Sequence, residues 1–327
     1  LVTSAEEIAR QRDNMLSSNN NQQKKKVVYD AKNYLSLRLN EGEKQKKITI
    51  RILPVSSEDS NVFLVLHTHS LKVPTEVSAS GYKSVICLND EKLETHDERG
   101  CPICNKVNAL LKESNDLPND EAHKEQRKAL IKQAMSYKVK DTFIVRVIER
   151  GHEDEGVKFW RFNRYIDGTG IHDQLMAIFD NRAQESIDTG DAFYEITGVD
   201  SEGKKIYKKV SSEVYNSLPE ENKTIIPYNV FDLNNGKDFI ITLQYVPSTK
   251  KTTMTISDAG KESPLSDDID KALSWINDKK QWKDLYASKS YDYLEWVVDG
   301  KIPVYDKDAK KWVEKKDKAL NKNIDED

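Results

Sequence analysis

The sequence predicts a mainly β fold with added helices, an α+β architecture built on a small barrel or sandwich. Three observations carry that reading. Four short segments between residues 26 and 165 read as strands divided by polar turns. One of them, Lys47–Pro54 (KITIRILP), alternates cleanly between apolar and polar positions. The last third of the chain changes to a helical spacing of apolar residues.

Taken in order, residues 1–20 read as a short helix. Ser4 followed by Glu7 matches a capping box, and Ile8 and Met15 lie a helical repeat apart. Ser17–Gln23 is a polar linker, followed by Lys24, Lys25 and Lys26. In KITIRILP, Ile48, Ile50 and Ile52 share one face, with Thr49 and Arg51 on the other. Val62–Leu66 forms a second strand and ends in His67-Thr68-His69. Asn105–Ser136 reads as helical with a break around Pro118. Phe143–Ile148 and Lys158–Tyr165 are the third and fourth strands, separated by a turn through Gly151 and Gly156. Gln174–Phe179 is a short helix. Asp188–Phe231 reads as a lobe with a hairpin around Gly203, and Phe239–Val246 as a further strand. Ser266 is placed to cap a helix carrying Ile269, Leu273 and Ile276. Leu285–Val298 continues the helical pattern, and from Asp306 the chain is Lys-rich and mixed in sign.

The 327 residues suffice for one large domain or two ordinary ones. Fifty-one basic and 55 acidic side chains give a net charge of -4. A uniformly basic nucleic-acid coat is thereby excluded, while a local basic groove is not. No stretch approaches the ~20 apolar residues of a membrane helix. The acidic residues Glu6, Glu7 and Asp13 argue against a secretory signal. Three Cys are too few for a disulfide scaffold and fit a reducing compartment.

The sharpest feature is Cys101-Pro102-Ile103-Cys104, with Cys87 upstream. Two Cys separated by two residues can both reach one tetrahedral ion. His69, His67 and His96 are the candidates for a fourth ligand, with His69 preferred. Three thiolates and one imidazole suit one structural Zn2+. The competing reading of Cys-x-x-Cys is a redox pair, but no βαβ pattern surrounds it.

Single-strand binders combine cations that track phosphates with rings that stack bases. Lys158, Phe159, Trp160, Arg161, Phe162, Asn163, Arg164 and Tyr165 run in sequence with that composition. As a strand, Lys158, Trp160, Phe162 and Arg164 would share one face and Phe159, Arg161 and Tyr165 the other. Both faces mix rings and cations, so alternation does not choose between them. Arg51, Tyr82, Arg127, Lys128, Lys132, Tyr137, Lys138 and Lys140 are further candidates. Taken singly, each reads as an ordinary surface residue. There is no phosphate loop, GxGxxG, HExxH or GxSxG, so no enzyme is expected.

Strand TIRILP, His before Cys, Cys-Pro-x-Cys and then KFWRF follow one another in an order that resembles the single-stranded DNA-binding, helix-destabilising protein family of T-even-type bacteriophages. The likeness covers most of residues 1–180 and more loosely 234–298. It implies an OB-fold-like five-stranded barrel core with an inserted zinc-binding subdomain and C-terminal helices. The divisions expected are an N-terminal arm (1–22), an OB-fold core (23–255) with the zinc subdomain at about 63–136 and an insertion at about 185–230, C-terminal helices packing on the core (256–300), and a charged tail (301–327). The resemblance implies the ligand set His69, Cys87, Cys101 and Cys104. It places Arg51, Lys128, Lys132, Tyr137, Trp160 and Phe239 along the DNA groove.

The function expected is therefore non-sequence-specific coating of single-stranded DNA in replication, recombination and repair, in the cytoplasm of an infected bacterial host. Self-association along DNA and contact with replication or recombination proteins come with the family. The alternative is a zinc-stabilised scaffold protein of a replisome or virion without direct DNA contact.

Overall fold

The computed structural model describes residues 30–55, 61–94, 96–164 and 169–315. The expected N-terminal helix, Lys24–Lys26, Tyr165 and the end of the tail lie outside the described residues. The fold is mixed α and β, built on a mostly antiparallel sheet.

Strands β1 (Gln45–Ile52), β2 (Leu64–Lys72), β3 (Tyr82–Ile86), β4 (Lys140–Glu149), β5 (Lys158–Asn163), β9 (Gly236–Val246) and β10 (Lys251–Ser263) form a seven-stranded sheet. Its order is β10-β9-β1-β4-β2-β3, with β5 on the other edge of β4. β1 and β2 take successive stretches of one β4 edge: Ile52 faces Val147, and Leu64 faces Ile144. β5 takes the opposite edge, with Val145 facing Trp160. Strand alternation then sends Ile48, Ile50, Ile52, Phe143, Val145, Val147, Trp160, Phe162, Phe239 and Ile241 into one core. Helix α3 (Ile171–Asp188) closes this core with Ile171 and Leu175, packing against both β5 and β10. Those two strands are not paired with each other.

The two helices predicted around Pro118 are α1 (Pro102–Asp116) and α2 (Lys124–Tyr137). α3 outruns its predicted span because its last turns are polar and carry no apolar signal. An ion pair from Arg182 to Asp258 holds them against β10. β10 was not legible either. It is an edge strand, and Ile256 is its only buried residue, so it reads as polar throughout. The division placed between residues 255 and 256 therefore falls inside a strand.

The lobe of residues 185–230 holds a three-stranded sheet of β6 (Phe193–Val199), β7 (Lys205–Lys209) and β8 (Lys223–Ile225), in the order β7-β6-β8. Its hairpin turns at Gly203 as predicted. Helix α4 (Ser212–Ser217) stacks Tyr215 on Phe193, with ring centroids 4.4 Å apart.

The C-terminal third differs more from expectation. Asp268, not Ser266, caps α5 (Ile269–Ile276) by accepting from the Asp270 and Lys271 amides. The continuous pattern over 285–298 is two helices, α6 (Trp282–Leu285) and α7 (Tyr291–Val298), the second capped by Ser290. α5 packs on Leu53, Ile148 and Val157 at one end of the sheet. α7 instead packs on the Cys-containing module, through Leu294, Val297 and Val298. Residues 301–315, expected as charged tail, contain the hairpin β11 (Pro303–Asp306) and β12 (Lys311–Glu314), with Trp312 set edge-on to Tyr293 at 4.9 Å.

Candidate metal centre and nucleic-acid face

The end of β3 and the start of α1 converge on β2. Cys87 follows β3 directly and is tied to β2 by its amide, which donates to the His67 carbonyl at 2.8 Å. Cys101 is the N-cap of α1, Pro102 occupies the first helical position, and Cys104 lies in the first turn. Both sulfurs thus sit at the positive end of a helix, which favours thiolates. Gly100, at φ +77°, makes the sharp approach to this helix.

His69 Nε2 lies 3.6 Å from the sulfurs of both Cys101 and Cys104, and Cys87 Sγ lies 3.6 Å from Cys104 Sγ. All four ligand atoms fall within 4.8 Å of one another. Ligands at the usual Zn–S and Zn–N lengths on a tetrahedron would be about 3.8 Å apart for S···S and about 3.6 Å for S···N. Disulfide-bonded sulfurs would be about 2.05 Å apart, so the three Cys are free thiols, and His69 beside them makes up a four-membered ligand shell. Four protein ligands fill a tetrahedron and leave no open position, which is the pattern of a structural site.

The surroundings support metal binding. His69 Nδ1 lies 2.7 Å from the Tyr137 carbonyl. A carbonyl only accepts, so Nδ1 carries a proton, which leaves Nε2 facing the sulfurs as the nitrogen that would bind a metal once its own proton is displaced. Without a cation the cluster shares protons. Hydrogen bonds from Cys104 and Cys87 push the Cys101 pKa down, while donation to Cys101 pushes Cys87 up and Cys104 to about 11. Burial would lower the His69 pKa, but its bonds to Cys101, Cys87 and the Tyr137 carbonyl raise it to about 9. Three mutually repelling thiolates need a cation, and a divalent ion would replace the shared protons. His67 and His96 are excluded as ligands. The His67 ring lies between Asp90 and Asp141, 3.6 Å from each, and His96 Nδ1 meets the Leu88 carbonyl.

The expected DNA contacts divide sharply. Trp160 is 1 % exposed, and Phe162 and Phe239 are buried in the same core. No base can stack on them there, because β5 turns this face toward α3. Lys158 is on that face too, and it pairs with Glu149 at 2.5 Å and Glu155 at 2.6 Å. Arg51 is fully buried on the opposite face. Its guanidinium donates to the carbonyls of Asp232 (2.8 Å) and Ser263 (2.9 Å) and pairs with Asp238 at 3.2 Å. These five are corrected from groove to interior. Arg127 is occupied with the Pro118 and Asp120 carbonyls, closing the α1–α2 loop, and Lys128 pairs with Glu125. Tyr137 is half-buried against the metal module and serves it through its carbonyl. Lys132, Lys138 and Arg164 are exposed.

The outer face of the sheet brings the remainder together. Register places Tyr82, Ser84, Thr68, Lys140, Thr142, Asn163 and Arg161 on one side of β3-β2-β4-β5. Tyr82 is 61 % exposed, and Lys140 and Arg161 are open to solvent. The segment from α6 to α7 crosses beside them. It sets the Tyr286 ring 5.7 Å from the Arg161 guanidinium and adds Lys289 to the same cleft. Burial holds the Tyr286 phenol at a pKa of about 12, so it stays neutral. Lys289 and Lys83 converge on the Tyr293 ring, at 5.8 and 5.1 Å. Partial burial and then Lys83 lower the Lys289 pKa. Among the described residues, neither Arg161 nor Lys289 has a carboxylate partner. Tyr286 and Lys289 were missed in the sequence; the only signal was a ring and a lysine in the non-periodic link between two helices. No protein-family model and no curated protein matches this sequence.

Proposed function

We propose that this chain binds single-stranded DNA along the outer face of β3-β2-β4-β5. The observation that carries the reading is the cleft in which Arg161 and Lys289, cations without carboxylate partners among the described residues, flank the half-buried Tyr286 ring. Cations held beside a partly exposed ring are the elements of a surface that tracks phosphates and stacks bases. A duplex hides its base faces, so such a surface favours single strands. Binding would then displace melting equilibria by mass action, without ATP.

The sequence resemblance to the T-even phage helix-destabilising family supports the same reading. Under it, the sheet with α3 is an OB-fold core and the metal is Zn2+, which suits three thiolates and an imidazole. The protein would coat DNA in phage replication, recombination and repair inside the bacterial host, as a binding protein rather than an enzyme. The metal centre would act on the face indirectly. His69 lies on β2 and Cys87 follows β3, so the ion would pin the two strands that carry Thr68, Tyr82 and Ser84.

The test is anisotropy of a labelled oligo-dT at low and moderate salt. Affinity should fall steeply with salt, and Arg161→Ala and Lys289→Ala should each reduce the slope by about 0.7 per lost phosphate contact. No binding at either salt would refute the proposal and leave the scaffold reading in its place. Equal affinity for duplex would refute the preference for single strands.

A further inference from the structure

The cleft has a floor as well as a rim. Leu66, Ile144 and Leu285 line it and are buried, Tyr286 lines it half-buried, and Ser84 is solvent-exposed, on the side where it opens. Into this apolar setting the sheet places a line of hydroxyls. Thr142 Oγ1 lies 2.8 Å from Asn163 Oδ1 and 2.7 Å from Thr68 Oγ1. Thr142 is 1 % exposed and Thr68 6 %, so solvent adds little to this chain.

A proton count fixes its direction. An amide oxygen only accepts, so Thr142 spends its single proton on Asn163. Thr142 therefore accepts from Thr68, and Thr68 spends its own proton in turn. What Thr68 then offers to the cleft is a lone pair. A ligand here would have to present an N–H donor at the edge of a flat ring narrow enough to lie beside Tyr286. Arg161 and Lys289 at the rim call for an anion just outside the cleft. A planar ring bearing N–H donors and attached to a phosphate is a nucleotide. Every standard nucleobase carries such a donor, the imide N–H of thymine and uracil or an amine on the others, so the arrangement selects a base without selecting its sequence.

We infer that this cleft is a receptacle for a single nucleobase, turned out of the strand into the space between the sheet and Tyr286, with its phosphates on Arg161 and Lys289. The inference rests on the proposed single-strand path and adds to it a defined stop. The path would then be anchored at one base and electrostatic elsewhere.

The test compares oligo-dT with an abasic deoxyribose-phosphate oligomer of the same length, by competition anisotropy. The parent protein should prefer oligo-dT by roughly tenfold or more, the worth of at least one well-placed base. Ser84→Leu, a change at an exposed position, should plug the mouth and bring that preference below about threefold. Thr68→Val, which replaces the acceptor by a methyl group, should lower oligo-dT affinity several-fold. Thermal melts check that both variants fold. If parent and Ser84→Leu show the same preference, or the parent shows none, the base receptacle is refuted while the phosphate-tracking face stands. If neither oligomer binds the parent, the single-strand reading fails and the receptacle with it.

Discussion

Arg51 offers the sharpest contrast between a groove residue and a structural one, and its replacement by Ala should cost stability directly. The side chain is 1 % exposed and makes bonds to two carbonyls, one carboxylate and the Ser263 hydroxyl. Losing one member of a buried ion pair costs about 3–5 kcal/mol when the partner charge is stranded. Here it is not fully stranded, because Arg150 also grips Asp238, at 2.9 and 3.0 Å. The larger loss is at the Asp232 and Ser263 carbonyls, each worth roughly 1–3 kcal/mol if left without a donor. The sum is about 3–5 kcal/mol, which lowers Tm by roughly 4–7 °C in a chain of this size. A second variant tests the same packing from the other side. A methyl group on Gly236 would collide with the Arg51 guanidinium and the Asp232 carbonyl, so Gly236→Ala should also destabilise. Circular dichroism melts read both effects. A Tm within about 2 °C of the parent for Arg51→Ala, together with weakened oligonucleotide binding, would refute the argument and return Arg51 to the DNA face.

Further outcomes follow from the same geometry. Trp160→Ala should cost about 3–5 kcal/mol by emptying the core between β5 and α3. Trp160→Phe should cost less, since the indole N–H has no partner among the described residues; a folded, fully stable Ala variant by denaturant titration would contradict the core placement. Native mass spectrometry should find one metal ion per chain, lost in Cys104→Ser, and a strong chelator should lower Tm; unchanged mass and Tm on chelation would dismiss the metal centre. Hydrogen bonds from Arg99 hold the Asp97 carboxyl at about 2, below its unfolded value of about 3.9. Its folded pKa is depressed, so its contribution is present above pH ~4 and is lost as pH falls toward 2. Asp97→Asn should flatten stability in that window, and an unaltered acid-unfolding profile would show that the pair contributes nothing.

What was legible in the sequence was whatever local pattern alone decides. Ile48, Ile50 and Ile52 point into the core because period-two alternation leaves them no other face. The three Cys of the candidate metal centre were legible because Cys is rare in this chain and two of them stand two residues apart, whereas His69 was one of three histidines until the strand pairing set it beside them. Edge strand β10 and the last turns of α3 were illegible for a physical reason: an element with little buried surface needs little apolar patterning. Ser266 and Asp268 both precede α5 with capping side chains, and only the backbone path decides which one serves.

The proposed nucleic-acid face shows where such reasoning stops. The strand Lys158–Asn163 mixes rings and cations on both sides, so its composition is compatible with either side facing solvent. The decision belongs to α3, the next element along the chain, which buries Trp160 and Phe162 under Leu175. Arg161 is thereby left outside, and the link from α6 to α7, more than 120 residues later, lays Tyr286 beside it. The same logic inverted Arg51. A lone cation on the polar side of a strand reads as exposed until the turn at Asp232 and the end of β10 at Ser263 bring carbonyls over it. A guanidinium met by carbonyls and a carboxylate is neutralised within the fold, whereas one met by a ring keeps its charge for an anion from outside. Across this sheet, the partner each cation finds is a better guide to its role than the strand it occupies.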